Sequence, residues 1–102
     1  MWASLAQARA AWADAPSDDD ELESLLGAAH EVCEVYAPDL LDGQAIPERY
    51  VRANILQARD IFQAAQREGD VIGYGDYAVR AKELSATIKG LLRPRSGYRI
   101  VG

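Results

Sequence analysis

The chain contains little of the chemistry on which most enzymes and metal sites depend. Its 102 residues include one cysteine, Cys33, and one histidine, His30. A single cysteine excludes an internal disulfide, and the pair leaves a zinc site short of the four ligands that zinc takes. No run approaches the roughly 20 apolar residues that span a bilayer. The first residues lack the basic and then apolar order of a secretory signal. We expect a protein of the cytoplasm, or of a particle assembled there, with no membrane partner, metal or cofactor.

Catalytic motifs are also missing. Gly73-Tyr74-Gly75 lacks the lysine and the preceding strand of a phosphate-binding loop. The acids that begin at Asp18 crowd into one helical turn, without an apolar pocket to raise a carboxyl pKa. Cys33 falls on a packed helix face, where a thiol acts as a small apolar side chain and not as a nucleophile. We therefore predict that the protein is not an enzyme.

The strongest pattern present is a helix between Ser17 and Pro38. Apolar residues recur at steps of three and four and fall within a stripe about 120° wide, as expected of one buried helix face. Ser17 is the expected N-cap, the acids after it suit the helix dipole, and Pro38 ends the helix. The stripe consists of Leu22, Leu25, Leu26, Ala29, Val32, Cys33 and Tyr36.

Three further helices are predicted. A second long helix runs from Pro47 to about Glu68, and its apolar stripe should face the first one. The alanine-rich stretch 3–13 predicts a short N-terminal helix anchored by Trp12, and 83–92 predicts a C-terminal helix. Loops join them at 14–17, at 39–46 with a turn at Gly43, and at 69–82 with an extended piece around 77–80.

These elements predict an all-α fold and one domain. Residues 1–92 should form a small helical bundle of two long antiparallel helices with a short N-terminal helix and a C-terminal helix. An extended C-terminal tail, residues 93–102, follows it.

Charge divides the chain unevenly. Residues 1–79 carry 5 basic and 15 acidic side chains, a balance of −10, whereas residues 80–102 carry 6 basic and 1 acidic, a balance of +5. The acidic body argues against tight nucleic-acid binding by that body. The basic tail can be disordered, can add a strand to a partner's sheet, or can act as a nucleic-acid arm. Its candidate docking residues are Arg93, Arg95, Tyr98, Arg99, Ile100 and Val101.

The two long helices also carry faces of unlike charge. The first has an acidic face, and the second has an arginine stripe with a leucine at its centre. Each face lies away from its own apolar stripe, so the two can meet between subunits in a heterologous contact, which builds rings or filaments. The alternative is two solvated faces. The candidate interface residues are Glu23, Glu31, Glu34, Arg52, Leu56 and Arg59.

The order of several short stretches resembles the head-to-tail connector proteins of long-tailed bacteriophages, especially those that infect actinobacteria. The stretches are Trp12-Ala-Asp-Ala-Pro16-Ser-Asp18, Glu34-Val-Tyr36-Ala-Pro38, Ile46-Pro-Glu-Arg-Tyr50 with Gln57-Ala-Arg59, the Gly/Tyr loop to Tyr77, and Ile88-Lys-Gly-Leu-Leu-Arg-Pro-Arg95. The Leu-Leu-Arg-Pro ending is the most specific of them. The chain departs from the family before its last helix, where Glu83, Leu84 and Ala86 stand in place of a frequent proline and aromatic.

The resemblance implies a structural virion protein in the neck, at the junction of capsid and tail, assembled in the host cytoplasm. Such proteins form a ring, typically of twelve copies, below the portal protein, and they give a tail-side connector, stopper or tail terminator protein a docking surface. Genomic DNA passes through the ring without specific binding, which an acidic channel wall would favour. The alternative interpretation is a small helical regulator, such as an antitoxin-like protein, whose C-terminal segment folds on a partner. A DNA-binding helical domain is the third.

Overall fold

The structure, a computed structural model, describes residues 1–68 and 83–94. These residues include four helices. They are α1 (Leu5–Ala11), α2 (Asp19–Tyr36), α3 (Glu48–Glu68) and α4 (Ala86–Leu92). The described residues contain no strand. The all-α prediction is therefore confirmed, with two long helices and a short helix at either end.

Helices α2 and α3 pack side by side in opposite directions. The amide nitrogen of Asn54, in α3, donates to the carbonyl of Leu26, in the middle of α2, at 3.0 Å. The hydroxyl of Tyr50, one turn earlier in α3, donates to the carbonyl of Pro38, just beyond the end of α2, at 3.1 Å. The later residue of the α2 side, Pro38, therefore contacts the earlier residue of α3, Tyr50. The two helices are antiparallel, as the sequence predicts.

The core consists of two adjoining clusters of buried side chains. The first joins α1 and the first half of α2 to the middle and end of α3, around Leu22, Leu25, Leu26 and Ile61. The second joins the end of α2 and the start of α3 to α4, around Cys33 and Tyr50. Each fully buried leucine contributes about 1.5–3 kcal/mol by leaving water. The predicted stripe of α2 therefore supplies both clusters, because α4 covers one end of the α2–α3 pair and α1 the other.

The prediction that Ser17 caps α2 is wrong. Asp18 is the N-cap, and its Oδ1 accepts from the backbone nitrogens of Asp20 at 2.8 Å and Glu21 at 3.1 Å. The guanidinium of Arg9, in α1, binds the carbonyl oxygen of Ser17 at 3.2 Å and the carboxylate of Asp19. These two contacts of Arg9 hold Ser17 in the turn before the helix, so Asp18 takes the capping position.

Other helix boundaries differ from the predictions by a few residues. Helix α1 begins at Leu5 because Ser4 and Gln7 form a capping box. Helix α4 begins at Ala86 and not near Glu83, because the hydroxyl of Ser85 accepts from the backbone nitrogen of Ile88 at 3.3 Å. The turn at Gly43 is confirmed by its φ of 78°. The predicted loop 69–82, with its extended piece, lies outside the described residues.

Candidate functional site

A groove lies between α1 and the first half of α3. It has a volume of about 220 Å³. Trp12, the C-cap of α1, is 6% exposed and is fixed by an edge-on contact with Phe62, 5.7 Å between ring centroids. The groove wall is apolar at its centre and polar at its rim. The lining residues are Gln7, Ala11, Trp12, Glu48, Val51, Arg52, Ile55, Leu56 and Arg59.

Three of the six predicted interface residues line this groove. Arg52 is exposed, whereas Leu56 and Arg59 are half-buried. Leu56 packs against the second core cluster. The prediction that the whole arginine stripe faces away from the core is therefore wrong at its centre. Other elements pack against the middle of α3, and the periodicity of one helix does not reveal such contacts.

Arg59 brings an unsatisfied donor to the groove. Its Nε is buried and has no hydrogen-bond partner among the described residues. A buried donor without an acceptor costs about 1–3 kcal/mol. Because this atom is buried, a partner's carboxylate can contact only the exposed part of the half-buried Arg59 side chain.

The other three predicted interface residues lie on α2. Glu23, Glu31 and Glu34 are all exposed, and α2 contains no lysine or arginine. Within the described residues, the one basic side chain within 4 Å of any of them is His30, whose Nε2 lies 3.9 Å from Glu34 Oε2, and burial lowers the pKa of this imidazole. The exposed side of α2 is thus an acidic surface, as the sequence predicts. It does not join the groove of the same copy.

An exposed valine interrupts this acidic surface. Val35 is 87% exposed, the highest value among the exposed large apolar side chains. Two residues correspond to about 200° of helix rotation, so Val35 lies almost opposite Cys33, which faces the core. Glu31 and Glu34 precede Val35 by four residues and by one. Glu31 therefore lies one turn before Val35 on the same side of α2, and Glu34 lies about 100° around the helix.

His30 and Cys33 do not form a reactive pair. Burial is the largest cause that lowers the pKa of His30; the terminal ammonium lowers it further, and Glu34 and Glu31 oppose the shift. Its ring meets Trp2 edge-on, with 4.7 Å between centroids. Burial raises the pKa of the Cys33 thiol to about 12. Among the residues that the structure covers, no three possible ligands cluster to hold a metal. His30 is therefore a half-buried side chain that packs against Trp2.

Sequence reasoning missed the buried polar residues of α3. Asn54 is 0% exposed, and its Oδ1 accepts from the backbone nitrogens of Trp2 at 3.2 Å and Ala3 at 3.0 Å. With its bond to Leu26, it ties the N-terminal segment to both long helices. Asn54 stands three residues after Val51 and four before Ala58, on the apolar stripe. The position of Asn54 on the apolar stripe was the signal in the sequence that could have predicted its burial.

The first residue of the predicted docking tail has a structural contact. Arg93 is exposed, its Nε donates to the carbonyl of Tyr36, and its guanidinium lies 5.2 Å from the centroid of that ring. It therefore joins the end of α4 to the end of α2. The other docking residues, Arg95, Tyr98, Arg99, Ile100 and Val101, lie outside the described residues.

Comparison with family models, curated proteins and solved structures finds no match for this chain. Within the described ranges, no helix combines the length and the apolar character needed to cross a bilayer. The fold and the surfaces define a small all-α protein with an acidic helix face and an arginine-rimmed groove.

Proposed function

We propose that the protein is a head-to-tail connector of a tailed bacteriophage, which forms a ring below the portal, joins capsid to tail and continues the DNA channel. One observation carries the proposal: a single small domain presents an exposed acidic face on α2 and an arginine-rimmed groove on α3. The resemblance of the sequence to connector proteins supplies the place of such a domain in a virion.

The two surfaces suit repeated head-to-tail contacts. A contact between different patches on successive copies is heterologous, and it closes into a ring when its rotation divides a full turn. A domain of this size buries about 65% of its unfolded surface, so additional burial against neighbours is a useful source of stability. An assembled working state is therefore favoured over an isolated monomer.

The remaining partners follow from the position in the neck. One rim of the ring binds the portal protein, and the basic tail is the docking segment for the portal or for a neighbouring subunit. The opposite rim binds a tail-side connector, stopper or tail terminator protein. DNA passes through the channel, where acidic side chains repel its phosphates and prevent adhesion. Neutralisation of the channel acids should slow genome release, and an unchanged release rate would reject this electrostatic role.

The proposal is tested by mixing the protein with the portal of the phage that encodes it, followed by sedimentation velocity and electron cryomicroscopy. We expect a ring stacked on the portal, even where the isolated protein is monomeric. Glu31→Arg and Arg52→Glu should each prevent ring formation, and the double variant should restore it. Arg52 is preferred to Arg59 for this exchange because Arg52 is exposed, so its replacement leaves the fold intact.

Arg67→Glu is the matched control, because it makes the same change of charge at an exposed position on α3 outside the groove. It should assemble normally. Single reversals that leave the ring intact would reject the interface. A stable complex of one or two copies with a non-virion protein would indicate the regulator instead. Strongly salt-dependent DNA affinity would indicate the DNA-binding alternative.

A further inference from the structure

We infer that Val35 of one copy inserts into the groove between α1 and α3 of the next copy. The inference rests on the proposed function for its choice of a second copy as partner, and it deepens that proposal by naming the contact. The Val35 knob is defined as Val35 with Glu31 and Glu34. The groove is the one rimmed by Arg52 and Arg59.

Charge complementarity selects this occupant. The knob has an aliphatic centre beside two exposed carboxylates. The groove has an apolar centre at Trp12, Val51 and Ile55, and its other lining residues include two arginines against one acid, Glu48, so its charge is positive on balance. Insertion would place each carboxylate near a guanidinium of the rim. The chain's own C-terminal tail is a poorer occupant, because Arg93, Arg95 and Arg99 would repel the rim.

Size and position are also compatible. A cavity of about 150 Å³ holds a benzene molecule, so a groove of about 220 Å³ has room for a valine side chain. The knob lies on the side of α2 that faces away from Cys33 and the core, so it is directed outward from its own subunit. One copy therefore presents a donor surface and an acceptor surface at different places, as a heterologous contact requires.

The test is cysteine cross-linking of the full chain with a short bismaleimide. Val35→Cys is combined with Ala11→Cys, because Ala11 is exposed and lines the groove. Native Cys33 can remain, since it is buried and its pKa is about 12. The double variant should give a ladder of covalent oligomers. A mixture of the two single variants should give heterodimers and no longer species.

The matched control is Val35→Cys with Ala10→Cys, whose second cysteine is one residue away and outside the groove lining. We expect at least about tenfold less cross-linking from it, because position 10 lies outside the groove that receives position 35. Random collision, by contrast, would give the two pairs equal yields. Equal yields in the two pairs, or no ladder in either, would overturn the inference.

A second measurement does not depend on cysteine geometry. Val35→Asp should weaken association at least about tenfold, because it places a third acid at the apolar centre of the contact. Leu41→Asp, at another exposed aliphatic position of the same copy, should leave association unchanged. Circular dichroism verifies that both variants fold. Unaltered association of Val35→Asp would contradict the inference.

The outcomes separate this inference from the proposed function. A ring on the portal without cross-linking between positions 11 and 35 would reject the knob-in-groove contact and keep the connector. Cross-linked chains that never bind a portal would keep the contact and reject the connector.

Discussion

Asn54 shows how one buried side chain can fix the position of a chain segment. Its carboxamide oxygen accepts two backbone bonds from Trp2 and Ala3, and its nitrogen donates to Leu26. Buried polar groups are expensive without partners, and here every bond joins segments that are distant in sequence. The N-terminal residues are therefore held against α2 and α3 by a polar contact inside an apolar core.

Asn54→Ala should lower the free energy of unfolding by about 2–4 kcal/mol, because the backbone nitrogens of Trp2 and Ala3 lose their acceptor and the Leu26 carbonyl loses the bond from the side chain. Urea denaturation measures the loss. Gln63→Ala, at an exposed position on the same helix, should change stability by less than about 0.5 kcal/mol. The same substitution can also be made in a chain that lacks residues 1–3. If it lowers the free energy of unfolding there by the same amount, the hydrogen bonds to this segment contribute nothing to stability.

His30 should make stability depend on pH. Burial lowers its pKa below 6.5 in the folded state, so the unfolded chain binds the proton first as the pH falls. Stability is therefore complete above about pH 6.5 and is lost as the pH falls toward the lowered folded pKa. The slope cannot exceed about 1.4 kcal/mol per pH unit for one proton. Denaturation midpoints at a series of pH values measure it.

The variant His30→Gln keeps a polar side chain at position 30 and removes the titration. Its stability should be independent of pH in the range where the original chain loses stability. A slope that persists unchanged in this variant would assign the effect to another group, such as the carboxylates, whose ordinary pKa values are lower.

At the scale of elements, the start of α2 depends on a carboxylate. Asp18→Ala should lower the free energy of unfolding by about 1 kcal/mol, the usual cost of a lost N-cap, because two backbone nitrogens lose their acceptor. Ser17→Ala is the matched control, since the Ser17 side chain does not cap the helix. Thermal or urea unfolding compares the two. Equal losses from both changes would mean that the cap is shared.

The helices could be predicted from periodicity, and their ends could not. The leucines of α2 recur at the spacing of a buried face, and that signal does not depend on the rest of the molecule. The choice between Ser17 and Asp18 depends on Arg9, which reaches across from α1. The sequence places these residues close together but does not show which backbone groups a guanidinium will bind.

Helix periodicity also predicted part of the candidate site, but not the contacts between elements. Glu31, Glu34 and Arg52 are exposed, as helix periodicity alone indicates. Leu56 and Arg59 are half-buried because other elements cover their part of α3. The groove itself exists only between two helices, so no property of either helix alone predicts it. The Val35 knob needed the structure as well, because one exposed valine is unremarkable in a sequence.

At the scale of the whole molecule, net charge opposes association while the local contact favours it. Each copy carries a net charge of −5, so two copies repel one another at long range. The proposed contact pairs the acidic face of α2 with the arginines of α3 at short range. Salt screens both effects, and the sign of the net response shows which is larger.

Association should weaken as salt rises, by on the order of tenfold between 0.1 M and 1 M, because two or three exposed ion pairs of up to about 1 kcal/mol each are screened. Sedimentation equilibrium at several salt concentrations measures this. The double variant Glu31→Gln with Arg52→Gln removes one charge of each sign and keeps the net charge at its original value, so its salt response should be flatter. Association that strengthens with salt in the unmodified chain would mean that repulsion between acidic bodies dominates. The copies would then be joined by apolar surface alone, and the arginines at the groove rim would have no part in holding a ring together.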